Sequence, residues 1–322
     1  MTAPRIVYMG TPEFAVEPLK AIVNAGYNVV AVVTVPDKPV GRGQKLQGSP
    51  VKQFAVENGL LVLQPEKLRN EDFINQLHEL SPDIAVVVAF RMLPESVWSL
   101  PKLGTFNLHA SLLPQYRGAA PINWAVINGE KKTGLTTFLL DREIDTGNII
   151  DQLEVDIDED ESTGELHDKL MNLGGSMVVK TIQKLIDGDF APIPQKKLID
   201  GELKSAPKIF KETCKVDWSN SLKQVHNFIR GLSPYPAAWS EMVVSIDGSE
   251  STIPVKIFRT KKLDKIHNTN PGLIQSDGKK YLHISCSNGL VDILTIQQAG
   301  KKAMQIDEFL RGWHNTKFLR MQ

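Results

Sequence analysis

Two hydrophobic rhythms alternate through the first part of the chain. Ile6-Val-Tyr-Met9 is a short apolar run that ends at Gly10. Residues 13–24 then repeat apolar side chains (Phe14, Leu19, Ile22, Val23) at helical spacing, and Gly26 is placed to stop that helix. Residues 29–35 form a continuous β-branched run, the pattern of a strand covered on both faces, and Ile84-Ala-Val-Val-Val88 repeats it. Residues 105–109 and 135–139 read as further strands. Strands alternating with helices predict a parallel, doubly wound sheet with helices on both sides, and such sheets bind ligands beyond the carboxyl ends of their strands. Residues 162–187 form a long helix, with Ser162 and Glu165 spaced as a capping box. Leu166, Leu170, Leu173, Val178, Ile182 and Leu185 give it a largely apolar stripe, and Gly188 ends it.

Two stretches break the rhythm. Residues 36–50, PDKPVGRGQKLQGSP, combine three Pro, three Gly and the basic residues Lys38, Arg42 and Lys45, which predicts a long surface loop rather than an element. Loops of that length are uncommon without a function. Pro192, Pro194 and Lys196-Lys197 read as a linker. Past Pro207 the pattern changes to short strands over 239–246, 255–259, 281–286 and 290–296, an all-β module of small-barrel type. The predicted organisation is an α/β domain over 1–190, a linker over 191–206 and a β-barrel domain over 207–322.

Composition narrows the class. The 322 residues are 42% hydrophobic and 23% charged, with 37 Lys+Arg against 37 Asp+Glu. Those values exclude disorder, collagen and coiled coil as whole-chain descriptions and leave room for two cores. Cys214 and Cys286 are too few for a disulfide framework and too far apart for a metal-ligand pair, which points to a reducing, cytoplasmic setting. The amino terminus lacks the pattern of a signal peptide, and no apolar run approaches the ~18 residues of a membrane helix. The neutral total hides an asymmetry: residues 1–205 carry 20 Lys+Arg and 27 Asp+Glu, net −7, leaving 17 and 10, net +7, for residues 206–322. A basic module suits a polyanion such as a phosphate backbone, although uneven surface charge is also ordinary in small domains.

The sequence carries no P-loop, no dinucleotide fingerprint after Gly10, no HExxH and no Cys/His cluster, so no metal is expected. Most of the seven histidines sit in polar surroundings. His109 differs, because it ends a predicted central strand in Thr105-Phe-Asn-Leu-His109-Ala-Ser-Leu-Leu-Pro114. Asn107 and His109 are two apart and so project from one face of that strand. A polar pair there needs partners. Spacing alone divides evenly between a cap bonded to backbone and a pair of reacting groups.

Longer motifs carry a resemblance that bears on the choice. Asn107-Leu-His109, Ser111-Leu-Leu-Pro114, Tyr116-Arg-Gly-Ala-Ala-Pro121 and Asp141-Arg-Glu-Ile-Asp145-Thr-Gly147, in this order and spacing, resemble the folate-dependent formyltransferases. The opening Gly10-Thr-Pro12, the basic stretch 36–50, Pro207-Lys-Ile209 and Ile229-Arg-Gly-Leu232 narrow the resemblance to members that act on an aminoacylated tRNA. The resemblance covers nearly the whole chain. It implies a Rossmann-like, doubly wound, mostly parallel sheet followed by an OB-like barrel. It implies transfer of the formyl group of 10-formyltetrahydrofolate, as co-substrate, to the α-amine of methionine on initiator tRNA, by a protein expected to be monomeric and free of membrane.

In that resemblance Asn107, His109 and Asp145 are the catalytic set. Asn107 would donate to a developing oxyanion. His109 would donate a hydrogen bond to that oxyanion or move a proton. Asp145, 36 residues after His109, would orient it and take the amine proton, although Asp145-Thr-Gly147 is also a good Asx-type turn. Ser111, Leu112, Leu113, Pro114, Phe90 and Leu93 would wall the folate, chiefly through main-chain groups. Phe90-Arg91 replaces the Tyr-Gly common in such proteins, and Glu143 stands where Gly is usual. Arg42, with Lys38 and Lys45, would meet the acceptor end of the tRNA. Lys208, Lys211, Lys256, Lys261, Lys262, Lys301 and Lys302 are unranked candidates for its phosphates. Trp218, Trp239 and Trp313 read as core. Two other readings share parts of the pattern. A formyltransferase for a small amine predicts no basic module, and a non-catalytic RNA-binding protein predicts a dispensable Asn/His/Asp set.

Overall fold

The computed structural model describes residues 3–40, 44–265, 268–313 and 316–322. The chain forms two compact units. The first comprises Met1–Gly118, Thr133–Val155 and His167–Ser205, and the second Ala119–Lys132, Asp156–Leu166 and Ala206–Gln322.

The first unit is built on one mixed sheet. Its strand order is Ile149–Asp156, Lys132–Leu139, Thr105–His109, Ile84–Val88, Arg5–Gly10, Asn28–Val33 and Val62–Leu63. Pairing is parallel from Val62–Leu63 through to Thr105–His109. Thr105–His109 then runs antiparallel to Lys132–Leu139, with His109 opposite Thr136. Ile84–Val88 is buried at every position, because both faces are covered, while Asn28–Val33 is fully buried only over its second half. Each such Val or Ile side chain contributes roughly 1.5–3 kcal/mol on burial. Val7, Met9, Ala31, Val33, Ala85 and Val87 pack with Phe73, Leu77, Leu93 and Val97 on one side. The Thr163–Asp187 helix approaches on another: a Cβ on Gly174 would stand 2.9 Å from Leu108, the residue between Asn107 and His109. That close approach fixes the end of the Thr105–His109 strand. The expected capping box is formed, with Glu165 Oε2 accepting from the N–H (2.9 Å) and hydroxyl (2.6 Å) of Ser162.

The basic stretch is more ordered than its composition suggested. Lys38–Val40 and Lys45–Gln47 pair as an antiparallel ribbon, Lys38 opposite Gln47 and Val40 opposite Lys45. Gln44 turns with φ 47°. Pro39 is tolerated because a two-stranded ribbon consists only of edges, where a missing N–H costs no ladder bond.

The second unit is an antiparallel barrel joined by helices that include Pro121–Ile127, Leu222–Gly231 and Ile306–Arg311. Strand order is Ile274–Ser276, Leu282–Ser285, Leu290–Gln298, Ser249–Leu263, Ala238–Ile246 and Thr316–Met321. A bridge between Leu273 and Arg320 brings the two ends of that order together. The sequence pattern predicted strands alone here. The helices Leu222–Gly231 and Ile306–Arg311 bury Val225, Ile229, Phe309 and Leu310 in the same core as Met242, Val244, Ile257, Ile284, Ile293 and Ile296. Ser221 and Gln224 form a capping box at the start of the first, a signal present in the sequence. Trp218 is buried, with Nε1 donating to Ser240 Oγ at 3.0 Å, while Trp239 and Trp313 pack partly buried against this core.

Candidate active site

Asn107 and His109 end a strand at the carboxyl edge of the first sheet, on one face as the period of two requires. His109 is 7% exposed. Its Nε2 lies 3.0 Å from the carbonyl oxygen of Tyr116. A carbonyl only accepts, so Nε2 carries the proton, and Nδ1 is the ring atom left for chemistry. Asp145 comes from the connection between Lys132–Leu139 and Ile149–Asp156, and its Oδ2 stands 3.9 Å from His109 Nδ1. That separation is longer than a hydrogen bond. The carboxylate is held instead by the N–H of Gly118, 3.0 Å from Oδ2. Asn107 is half-buried, and its carboxamide makes no hydrogen bond among the described residues.

The turn that delivers Asp145 is unusual. Asp145 has φ 54°, the left-handed region where Asp and Asn are the least costly after Gly. Glu143 stays out of that region, so the position where Gly was expected needs none. Gly147 is obligatory for another reason, since a Cβ there would lie 1.7 Å from the carbonyl oxygen of Leu139. Thr146 Oγ1 donates to Asp141 Oδ1 at 2.7 Å across the turn, and Ile144, beside Asp145, is 63% exposed.

The 111–114 segment is pinned from the neighbouring strands. Ser111 is fully buried and donates to the Gln115 carbonyl at 2.6 Å. Thr136 Oγ1 donates to the Ser111 carbonyl (2.6 Å) and accepts from the Leu113 N–H (3.1 Å). Gln152 Nε2 donates to the Leu113 carbonyl at 2.8 Å. Leu113 and Pro114 are buried, and Leu112 is half-buried. Leu93 belongs to the core, with half-buried Phe90 packed beside it. Arg91, the other departure from the resemblance, turns back to the carbonyls of Pro65 (2.8 Å) and Glu66 (2.9 Å) and lies over the Phe90 ring. Burial lowers its pKa from the ordinary guanidinium value.

The structure thus brings His109 and Asp145 together. It adds Tyr116, Arg117, Gly118 and Gln195, which the sequence reading had not assigned. Of these Tyr116, Arg117 and Gly118 lay in a quoted motif; Gln195 gave no signal. Lys38 and Lys45 are exposed on the ribbon, and Arg42 lies outside the described residues. Among the candidate lysines, Lys262 is ion-paired with Glu159, and Lys261 faces Asp292 across the barrel sheet. Among the described residues no group of three His, Cys, Asp or Glu is arranged to hold a metal, and no helix is long and apolar enough to cross a membrane.

A mixed sheet with a polar pair at its carboxyl edge, followed by a barrel, defines a class, and comparison with known proteins supplies its name. Residues 4–182 match the formyl transferase pattern and residues 208–314 the formyl transferase C-terminal domain, so the chain belongs to the formyl transferase family. A protein of Bacteroides fragilis named methionyl-tRNA formyltransferase is 56% identical over 319 residues, 99% of this chain and 98% of the relative. Its namesake in Bacteroides thetaiotaomicron is 56% identical, covering 98% of each. The crystal structure of WlaRD, a sugar 3N-formyl transferase, shares the fold with a TM-score of 0.64 at 23% identity, over 94% of this chain and 100% of that one.

Proposed function

We propose that this chain transfers the formyl group of 10-formyltetrahydrofolate to the α-amine of methionine esterified to initiator tRNA, giving formylmethionyl-tRNA. The observation that carries the reading is the His109–Asp145 pair at the sheet edge, within a chain similar over its whole length to relatives named for this activity.

Two acceptors face each other there. The Nδ1 lone pair of His109 and Oδ2 of Asp145, 3.9 Å apart, match the N–H groups of a primary amine. As the amine nitrogen bonds to the formyl carbon, the one proton it loses passes, directly or by way of Asp145, to His109 Nδ1. As the bond from that carbon to the folate nitrogen breaks, the imidazolium can return a proton from Nδ1 to the leaving nitrogen. The Nε2 hydrogen is committed to Tyr116, which leaves Asn107 as the donor to the oxyanion on the formyl oxygen, at no change of charge. Both side chains of the pair are little exposed (8% and 13%), so these interactions act where water screens them poorly.

The co-substrate finds suitable groups in the same unit. Ile144 and Phe90 offer apolar surface, while the backbone of Leu93 and of Ser111, Leu112, Leu113 and Pro114 offers fixed polar groups. Lys38, Arg42 and Lys45 would meet the acceptor end of the tRNA, and the basic module from 207 its phosphates. The reading divides the chain into a catalytic domain over 1–190 and an RNA-binding domain over 207–322, joined through 191–206, in a cytoplasmic monomer. Steady-state formyl transfer from 10-formyltetrahydrofolate tests it, with methionyl initiator tRNA and glycinamide ribonucleotide offered separately. Turnover with the tRNA alone is expected; turnover with the nucleotide alone, or with neither, would overturn the reading.

A further inference from the structure

Gln195 opens the short turn Gln195–Leu198 in the segment that follows the long helix. It is 2% exposed, while its neighbours on both sides are exposed. A buried carboxamide has two hydrogens to donate and two lone pairs to fill. Nε2 donates to the carbonyls of Asp145 and Gly147, both at 2.9 Å. Oε1 accepts from Nε (3.0 Å) and Nη2 (2.6 Å) of Arg117. Carbonyls only accept and a guanidinium only donates, so chemistry fixes which way the amide points. Glu lacks the hydrogens for this position, and Lys or Arg the lone pairs.

Those bonds close on the turn that holds Asp145 at φ 54°. Such a conformation costs a side-chain-bearing residue free energy, and it persists where surrounding contacts over-determine it. The same segment reaches the other half of the pair. The Tyr116 N–H donates to the Lys204 carbonyl at 2.7 Å, and the Tyr116 carbonyl holds His109 Nε2.

We infer that Gln195 is a positioning residue of the transfer reaction, clamping the Asp145 turn so that the carboxylate faces His109 Nδ1, and that the 195–204 segment is thereby part of the active site. The inference rests on the reading of Asp145 as a group that handles the amine proton. Because Gln195 acts through Asp145, its effect vanishes when the carboxylate is absent. That coupling separates positioning from general support of the fold.

A double-mutant cycle tests this, measured as kcat and as KM for both substrates. Gln195→Ala is expected to lower kcat about 10–100-fold, the scale of a small misplacement of a reacting group, with both KM values within about threefold. Gln195→Glu, which keeps the shape and Arg117 but turns oxygen toward two carbonyls, is expected not to rescue it. In an Asp145→Asn background Gln195→Ala should change kcat by less than about threefold. An equal factor in both backgrounds, or an unchanged kcat, would overturn the inference. Should Gln195→Ala melt below the assay temperature, the Gln195→Glu pair carries the cycle. If Asp145→Asn itself keeps full kcat, the reading of Asp145 falls first and the inference with it; if Asp145→Asn is crippled and the Gln195 variants are not, only the inference falls.

Discussion

His109 and His226 are both buried, and each faces an aspartate oxygen, Asp145 at 3.9 Å and Asp160 at 3.0 Å. Distance alone would choose the second pair as the reactive one, and the surroundings reverse that choice. His226 lies in the second unit with Nδ1 2.9 Å from Thr260 Oγ1. Burial first, and then Lys262, push its pKa down to about 4, against the opposing pull of Asp160. It is therefore neutral at physiological pH. Asp160 is 74% exposed and screened by water. His109 has one nitrogen fixed by a backbone carbonyl and the other facing a carboxylate that Gly118 holds beyond hydrogen-bond reach. Its aspartate sits in a left-handed turn, and the carboxamide of Asn107, on the same strand face, makes no hydrogen bond among the described residues. A reactive site is marked by donors and acceptors aimed where a substrate atom must go, and His226 by a burial that keeps its imidazole neutral.

The comparison can be sharpened from either side. On the side of the reactive pair, Asn107→Ala should lower kcat about 10²–10³-fold with little change in tRNA affinity, the scale of removing one oxyanion donor. Filter binding beside the turnover assay checks this, and an unchanged kcat would remove Asn107 from the site. On the other side, Arg230 is buried beneath the second unit's surface, donating to Asn227 Oδ1 (2.9 Å) and the Glu161 carbonyl (2.7 Å). Arg230→Ala should cost about 3 kcal/mol of unfolding free energy by orphaning those acceptors, while kcat below the lowered Tm stays within about twofold. Denaturant titration gives the first quantity, and a kcat loss at full folding would contradict the division.

A smaller effect concerns pH. The folded-state pKa of His226, about 4, lies below its ordinary value of 6.5, so the unfolded chain takes up the proton first. Its contribution to stability is complete above about pH 6.5 and is lost as pH falls toward 4. His226→Gln should flatten the decline of stability across that interval by on the order of 2 kcal/mol. Parallel slopes for variant and parent would show that His226 is not the group responsible.

The legible part of this molecule is what periodicity and side-chain chemistry write locally. The apolar run 84–88 announced a strand buried on both faces, and the two-residue spacing of Asn107 and His109 placed them on one face. Asp145 came from the family resemblance that the Asp141-Arg-Glu-Ile-Asp145-Thr-Gly147 motif helps to carry. Gln195 was not legible, because its partners are Arg117 and two backbone carbonyls some fifty positions earlier, and a carbonyl has no sequence signature. The Leu222–Gly231 helix was legible in principle: Ser221 and Gln224 write a capping box, but the surrounding β-branched runs drew the reading toward strands. The Lys38–Val40 ribbon was hidden by Pro39 and the flanking glycines, which read as loop unless the cross-strand pairing is seen. Lys262 shows the converse limit, a basic residue whose partner Glu159 could not be foreseen from a position about a hundred residues away.

The account turns on the Asp145 carboxylate acting in the chemical step rather than in binding. Asp145→Ala should be assayed by single turnover with bound methionyl initiator tRNA and saturating 10-formyltetrahydrofolate, with the tRNA Kd measured on the same preparation. A rate lower by about 10³-fold or more, at a Kd within a few fold of the parent, is the result expected. A rate and an affinity that fall by the same factor, or a rate that does not fall, would contradict it.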